Sequence, residues 1–192
     1  MEAAESGRGC QLIFIAALDV NGVMGTGHGL PWLLPSDIAH FRIRNRGHWL
    51  LLGRHTFEEM RGWFTPAETP LVLTSHPDDF PRDQGAIPVR SASEALALAE
   101  AAGQKKLMHC GGAAAFAAAL PLADELILTR VAYQVPPEPH LVYFPPWDCQ
   151  DWVLIDEWSH LADAEHAYAF RVQTWVRHAA NAEAQADVIS GE

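Results

Sequence analysis

The stretch GLPWLLPSDIAHF, residues 29–41, sets one carboxylate, Asp37, among Leu30, Trp32, Leu34, Ile38 and Phe41. A carboxylate buried there without a partner would be costly. Asp37 is therefore either a solvated acid in the first turn of a helix, where the dipole favours it, or a buried acid kept for a ligand. Asp37 and Phe41, four residues apart, share one helix face. An acid beside an aromatic at a pocket wall suits a paired set of N–H donors on a heterocycle. Among the remaining acids no other has this setting; Glu58, Glu59, Asp78 and Asp79 read as solvated faces.

Two further stretches could bind a ligand. LLLGRHTFEEM and LMHCGGAAAF each run from a buried strand through glycine into a helix. The free N–H groups of such helix starts, with the dipole and close approach at glycine, favour phosphate. One junction alone could be a tight turn. Two in one chain point towards a dinucleotide, with Arg54 and Thr56 adding a charge and a hydroxyl to the first. The run GTGHG is not a dinucleotide fingerprint, because Leu30 stands where the third glycine would be. It reads as a ligand-covering loop or a connector.

Other chemistries find little support. The ten histidines show no H-x-x-x-H spacing, so no metal site is expected. The three cysteines, Cys10, Cys110 and Cys149, are odd in number and widely spaced, which excludes a disulfide framework. Cys110 reads as a small buried core residue. No G-x-S-x-G elbow for a serine nucleophile is present.

The elements that must position these residues follow from apolar patterning. Strands are expected over 11–18, 48–53, 70–74, 87–90, 106–110, 125–131, 152–158 and 168–175. Helices are expected over 35–46, with Ser36 as N-cap, over 56–60, after the Ser91/Glu94 capping box, and through AAAFAAAL. Strands alternate with helices and then dominate, which predicts an α/β fold. Its sheet is mainly parallel, flanked by helices on both faces, with an antiparallel edge.

With 192 residues, 49% apolar and 19% charged, the chain suits one soluble domain. A formal net charge of -11 argues against nucleic acid or an anionic membrane as partner. The polar, acidic N-terminus lacks a signal-peptide pattern, and a cytoplasmic protein is expected. Residues 1–10 read as a flexible extension, 11–178 as the folded domain and 179–192 as a disordered tail.

Across residues 11–177 the sequence resembles the dihydrofolate reductases, through IAALDVNGVMG, GLPWLLPSD, LLLGRHTFEEM, LVLTS, CGG with Phe116 following, and ILTRV. The resemblance implies that family's fold, a mixed sheet of about eight strands with about four helices. It also implies a monomer that moves hydride from NADPH to dihydrofolate for one-carbon metabolism. Asp37 then matches the acid that holds the pterin and promotes N5 protonation. Thr129 matches its supporting hydroxyl, Trp32 a water-ordering tryptophan, and Leu30 the loop over the nicotinamide. Ile15, Ala17, Ile38, Phe41, Met60 and the Cys110 carbonyl match the folate pocket. Ala17, Met24, Gly25, Gly53, Arg54, His55, Thr56, Leu73, Thr74, Ser75, Gly111, Gly112 and Phe116 match cofactor positions. Gly111–Gly112 matches a glycine pair that the family joins by a cis peptide.

Two departures stand out. The family places an arginine before the LVLTS-type strand to fork onto the substrate's glutamate carboxylate; here Glu68 or a neighbour falls there, and no arginine lies between Gly62 and Phe80. Arg42 is the candidate substitute and Arg61 the second. Ala114 stands where a basic residue often meets the 2′-phosphate, leaving Arg54, Ser75 and His76. The alternatives are a reductase of the same fold for another pterin or a ribityl-aminopyrimidine, and a silent nucleotide-binding protein.

Overall fold

Residues 8–27, 29–81 and 85–178 are described by a computed structural model. The apolar runs form strands whose alternate side chains feed two cores. In β1 (Gln11–Leu18), Leu12, Phe14 and Leu18 enter one core, while Ile13 and Ile15 enter the other. Period-two alternation with both faces buried is the signature of a central strand covered on each side.

The other strands of the main sheet are β3 (Trp49–Gly53), β4 (Thr69–Leu73), β5 (Ile87–Val89), β6 (Lys106–His109), β7 (Glu125–Val131), β9 (Trp152–His160) and β10 (Phe170–Arg177). Their order is β5-β4-β3-β6-β1-β7-β10-β9. Neighbours are parallel from β5 to β7, and β10 is antiparallel to both β7 and β9. The expected mixed eight-stranded sheet with an antiparallel C-terminal edge is thus present. Four α-helices flank it: α1 (Pro35–Asn45), α2 (Arg54–Glu59), α3 (Ala92–Ala101) and α4 (Ala113–Ala119). Phe41 of α1 and Phe57 of α2 pack on one core; Leu96 of α3 and Phe116 of α4 pack on the other.

Local chemistry sets several boundaries. Ser91 caps α3 by accepting from the Glu94 N–H at 3.0 Å, and Glu94 Oε2 accepts from the Arg90 N–H at 2.6 Å. Ser36 is not the N-cap of α1. Pro35 fits the first helical position, where its missing N–H costs nothing, so Leu34 becomes the cap residue and Ser36 moves inside. The glycine-rich run is not all loop either. Val23–Gly25 forms β2, paired with β8 (Val142–Tyr143) in a separate two-stranded sheet. Strands this short carry no periodic signal, and their pairing comes from a distant segment.

The chain is also anchored earlier than residue 11. Arg8 donates to Leu122 O and Asp124 Oδ1, each at 2.7 Å, and Cys10 is buried in the core. Arg8 and Cys10, expected in the flexible extension, are therefore tied to the folded domain. Residues 1–7 and the expected tail 179–192 lie outside the described residues.

Asp19, 0% exposed, corrects the view that Asp37 alone sits in an apolar setting. Its Oδ1 accepts from the N–H groups of Asn21 (2.7 Å) and Val23 (2.8 Å), and Oδ2 from that of Val135 (3.0 Å). It thus joins the β1–β2 turn to the segment after β7, holding the base of the loop that leads to Asp37. Replacing Asp19 by Ala strands the buried N–H donors of Val23 and Val135, at about 1–3 kcal/mol each, while the exposed Asn21 N–H turns to water. Chemical denaturation of Asp19→Ala should show a stability loss of about 2–4 kcal/mol.

Candidate active site

Asp37 occupies the first turn of α1 on the face turned to the sheet, 8% exposed. Thr129 Oγ1 donates to its Oδ1 at 2.6 Å. Thr129 lies in β7, opposite Ala17 of β1, and points into the same core as Ile127 and Val131. The second carboxylate oxygen, Oδ2, has no protein donor among the described residues and is the atom left for a ligand. Burial raises the Asp37 pKa above the ordinary carboxylate range, and the Thr129 hydrogen bond only partly opposes it.

Around this acid the structure gathers most of the residues singled out from sequence. Ile15, Ala17, Ile38, Phe41 and Met60 are buried or half-buried on the same side of the sheet. Trp32 is 8% exposed, and its Nε1 is buried with no protein acceptor, so its N–H is available to a water or ligand. Leu30, 49% exposed, stands outside on the loop. Cys110 directly follows β6; burial pushes its thiol pKa far up, and Sγ donates to Asn45 Oδ1 at 3.3 Å. It is an inert core thiol whose backbone borders the site. Asn45, missed from sequence, also donates to Phe41 O at 2.8 Å, tying the end of α1 to β6.

The two strand-to-helix junctions meet. Gly53 N–H donates to Gly111 O at 2.9 Å, so the starts of α2 and α4 lie side by side at the carboxyl ends of β3 and β6. Neither start has a side-chain cap. Gly111 and Gly112 have φ of +138° and +91°, and their peptide is trans, which corrects the expected cis bond. Two glycines in a region closed to side chains make the turn without isomerisation.

A Cβ on Gly112 would sit 3.1 Å from Gly53 Cα, and one on Gly111 would sit 3.0 Å from Thr56 Cγ2. Uncapped N–H groups beside such a side-chain-free cradle fit the diphosphate of a dinucleotide. Arg54, His55 and Ser75 are exposed near it, with Thr56, Leu73 and Thr74 half-buried, and Ser75 Oγ lies 2.8 Å from His76 Nδ1. Met24 and Gly25 belong to β2, beside the loop. Phe116 is the exception: 1% exposed, its ring lies 4.9 Å from Phe14 and 4.4 Å from His109. Its side chain is packed in the core. Beneath the turn, burial lowers the His109 pKa to about 4, which keeps that imidazole neutral.

The sequence reading also passed over a cluster. His160, Asp163 and His166 bring ligating atoms within 4.8 Å of one another, at a spacing unlike H-x-x-x-H. Hydrogen bonds already occupy both ring nitrogens of His166.

A family profile described as dihydrofolate reductase matches residues 11–177. Dihydrofolate reductase of Bacillus subtilis (strain 168) is 32% identical over 157 residues, covering 82% of this chain and 89% of that protein. Dihydrofolate reductase type 3 of Salmonella typhimurium is 32% identical over 163 residues, covering 85% and 96%. A solved structure, dihydrofolate reductase from Enterococcus faecalis complexed with NADP(H) and RAB-propyl, matches with a TM-score of 0.78 at 30% identity. It covers 89% of this chain and 98% of its own. These likenesses place the protein among the NADPH-dependent oxidoreductases. More narrowly, the chain belongs to the dihydrofolate reductase family.

The raised Asp37 pKa has a consequence for stability. The folded state holds the proton more tightly than the unfolded chain, so folding is penalised above the folded pKa and relieved as pH falls towards the unfolded value. Asp37→Asn removes that penalty. Thermal or urea unfolding should show the variant more stable than wild type by about 1 kcal/mol at pH 8, the gain fading as pH approaches about 4.

Proposed function

We propose that Asp37 is the residue through which this chain recognises and protonates the pterin ring in NADPH-dependent reduction of 7,8-dihydrofolate to tetrahydrofolate. The observation that supports it is the buried Thr129–Asp37 hydrogen bond, which engages one carboxylate oxygen and leaves the other open. When ionised, that oxygen accepts from the ring N–H and amino donors of the substrate. Because burial raises its pKa, Asp37 holds a proton at higher pH than an ordinary carboxyl and passes it towards N5 through water. The unpartnered Nε1–H of Trp32 is suited to orient that water.

The Gly53 and Gly111–Gly112 cradle would hold NADPH, which when bound would supply the hydride for C6. The chain's share there is to hold phosphate on the N–H groups of α2 and α4, with Arg54, Ser75 and His76 for the 2′-phosphate. Ile15, Ile38, Phe41 and Met60 exclude water from the ring.

The tail of the substrate falls to Arg42. Its guanidinium lies over Trp63 at 4.6 Å, exposed, with no acidic partner among the described residues. Arg61 is engaged by Glu58 at 3.2 Å, and Glu68 accepts from the N–H of exposed Thr65 at 2.9 Å. The same reading takes the enzyme as a cytoplasmic monomer; no helix among the described residues is long and apolar enough to cross a membrane.

Loss of reduced-nicotinamide absorbance on adding dihydrofolate tests the reaction. Asp37→Asn should lower kcat about a hundredfold or more, with the deficit widening as pH rises, because no carboxyl remains to hold the proton. Near-normal turnover would sink the assignment. Arg42→Ala should raise the KM for dihydrofolate about tenfold and leave the KM for NADPH unchanged. An unchanged dihydrofolate KM would favour a substrate without a glutamate tail.

A further inference from the structure

The start of α1 is held by a side chain from the far end of the chain. Leu34 provides no side-chain cap and Pro35 has no N–H, so Ser36 carries an N–H for which the helix itself has no acceptor. That N–H donates to His166 Nε2 at 3.1 Å, across 130 residues of sequence. His166 lies in the β9–β10 connection and is 2% exposed. Its Nδ1 is 2.8 Å from Asp163 Oδ1, which also accepts from the N–H groups of Glu165 (2.9 Å) and His166 (2.8 Å).

This pattern settles the tautomer. A backbone N–H can only donate, so Nε2 carries the lone pair and Nδ1 the proton, aimed at Asp163. The hydrogen bond from the His166 ring, followed by that from Glu165 N–H, holds the Asp163 pKa down to about 2. Asp163 is thereby kept as the acceptor facing His166 Nδ1. The same hairpin touches α1 again one turn on, where Trp158 meets the His40 ring edge-on at 5.6 Å.

We propose that His166, oriented by Asp163, is a positioning residue for the active-site acid. It fixes Ser36, the residue before Asp37, and with it the first turn of α1. This rests on the reading of Asp37 given above. Thr129 tethers one carboxylate oxygen to β7, whereas the Ser36 bond holds the backbone of the helix start. The second tether, to the hairpin, sets where Oδ2 stands against the substrate ring. A metal ion does not explain the cluster as well. On either His166 nitrogen it would displace Asp163 or Ser36, and His160 Nδ1 already faces Leu161 O at 2.7 Å.

Three variants and one spectrum test this. His166→Ala removes the acceptor, whereas in His166→Gln the amide oxygen replaces Nε2 and accepts from Ser36. His166→Ala should lower kcat about tenfold or more with the KM for NADPH unchanged, and His166→Gln should recover to within about threefold of wild type. In the wild-type protein, ring 15N shifts should show Nδ1 protonated and Nε2 bare. Wild-type kcat in a folded His166→Ala, alongside an inactive Asp37→Asn, would overturn the positioning role and leave Asp37 standing. Equal loss in Ala and Gln variants would reduce His166 to packing. The opposite tautomer would remove the Ser36 bond. Should His166→Ala not fold, His166→Gln and the ring spectrum decide. If Asp37→Asn turns over normally, the reading of Asp37 falls and takes the positioning role with it.

Discussion

A carboxylate that is 8% exposed must be answered by a donor, and the Thr129 hydroxyl at 2.6 Å is that donor. Much of the architecture is constrained by this bond. Thr129 has to face the α1 side of β7, so the register of β7 is pinned against Ala17 of β1 and Val172 of β10. A slip of one residue would turn the hydroxyl into the opposite core and bring Leu128 or Arg130 beneath the acid. The helix must also lie at the right height over the sheet. Asn45 secures its far end to Cys110 at the close of β6. The loop ahead of the helix is held at its base by Asp19, which gathers three N–H groups from two segments.

What could be read from sequence was what depends on local pattern. The central strands announce themselves as apolar runs because both faces are buried, and β1 and β7 fall on the residues expected. The capping box at Ser91 and Glu94 is legible because a cap needs only neighbours. Asp37 was found because its surroundings in sequence are also its surroundings in space. Asp19 was missed because its flanks, Leu18 and Val20, resemble any strand end, and the donor that completes it sits at Val135. His166 was missed for the same reason at greater range. Phe116 shows the converse: a position carried over by likeness lies in the core here, beside Phe14 and His109.

Charge sharpens the view of Arg42. A chain of net charge -11 has few cations to spare for an anionic substrate and an anionic cofactor. Arg8, Arg44, Arg61 and Arg90 are all spent in ion pairs with Asp124, Glu125, Glu58 and Asp78. Arg54 stands at the β3–α2 junction and Arg42 near the end of α1. The stacking of Arg42 on Trp63 restrains its long side chain, which would leave less conformational entropy to lose in the carboxylate contact proposed for it.

Why acid and phosphate cradle share one edge follows from winding. In the order β3-β6-β1-β7, the connection from β1 to β3 carries α1 across one face. The connection from β6 to β7 carries α4 across the other. Right-handed crossovers running in opposite directions must use opposite faces. The chain therefore leaves the adjacent ends of β1 and β6 in diverging directions, and a crevice opens between them. Ala17 lies near one lip, with Cys110 and Gly111 at the other. That crevice is where the proposed site lies, with Gly112 assigned to the diphosphate and Asp37 to the pterin. Side chains at residues 111 and 112 would close the gap between the junctions, which is why the narrowest part of the site is lined by glycine.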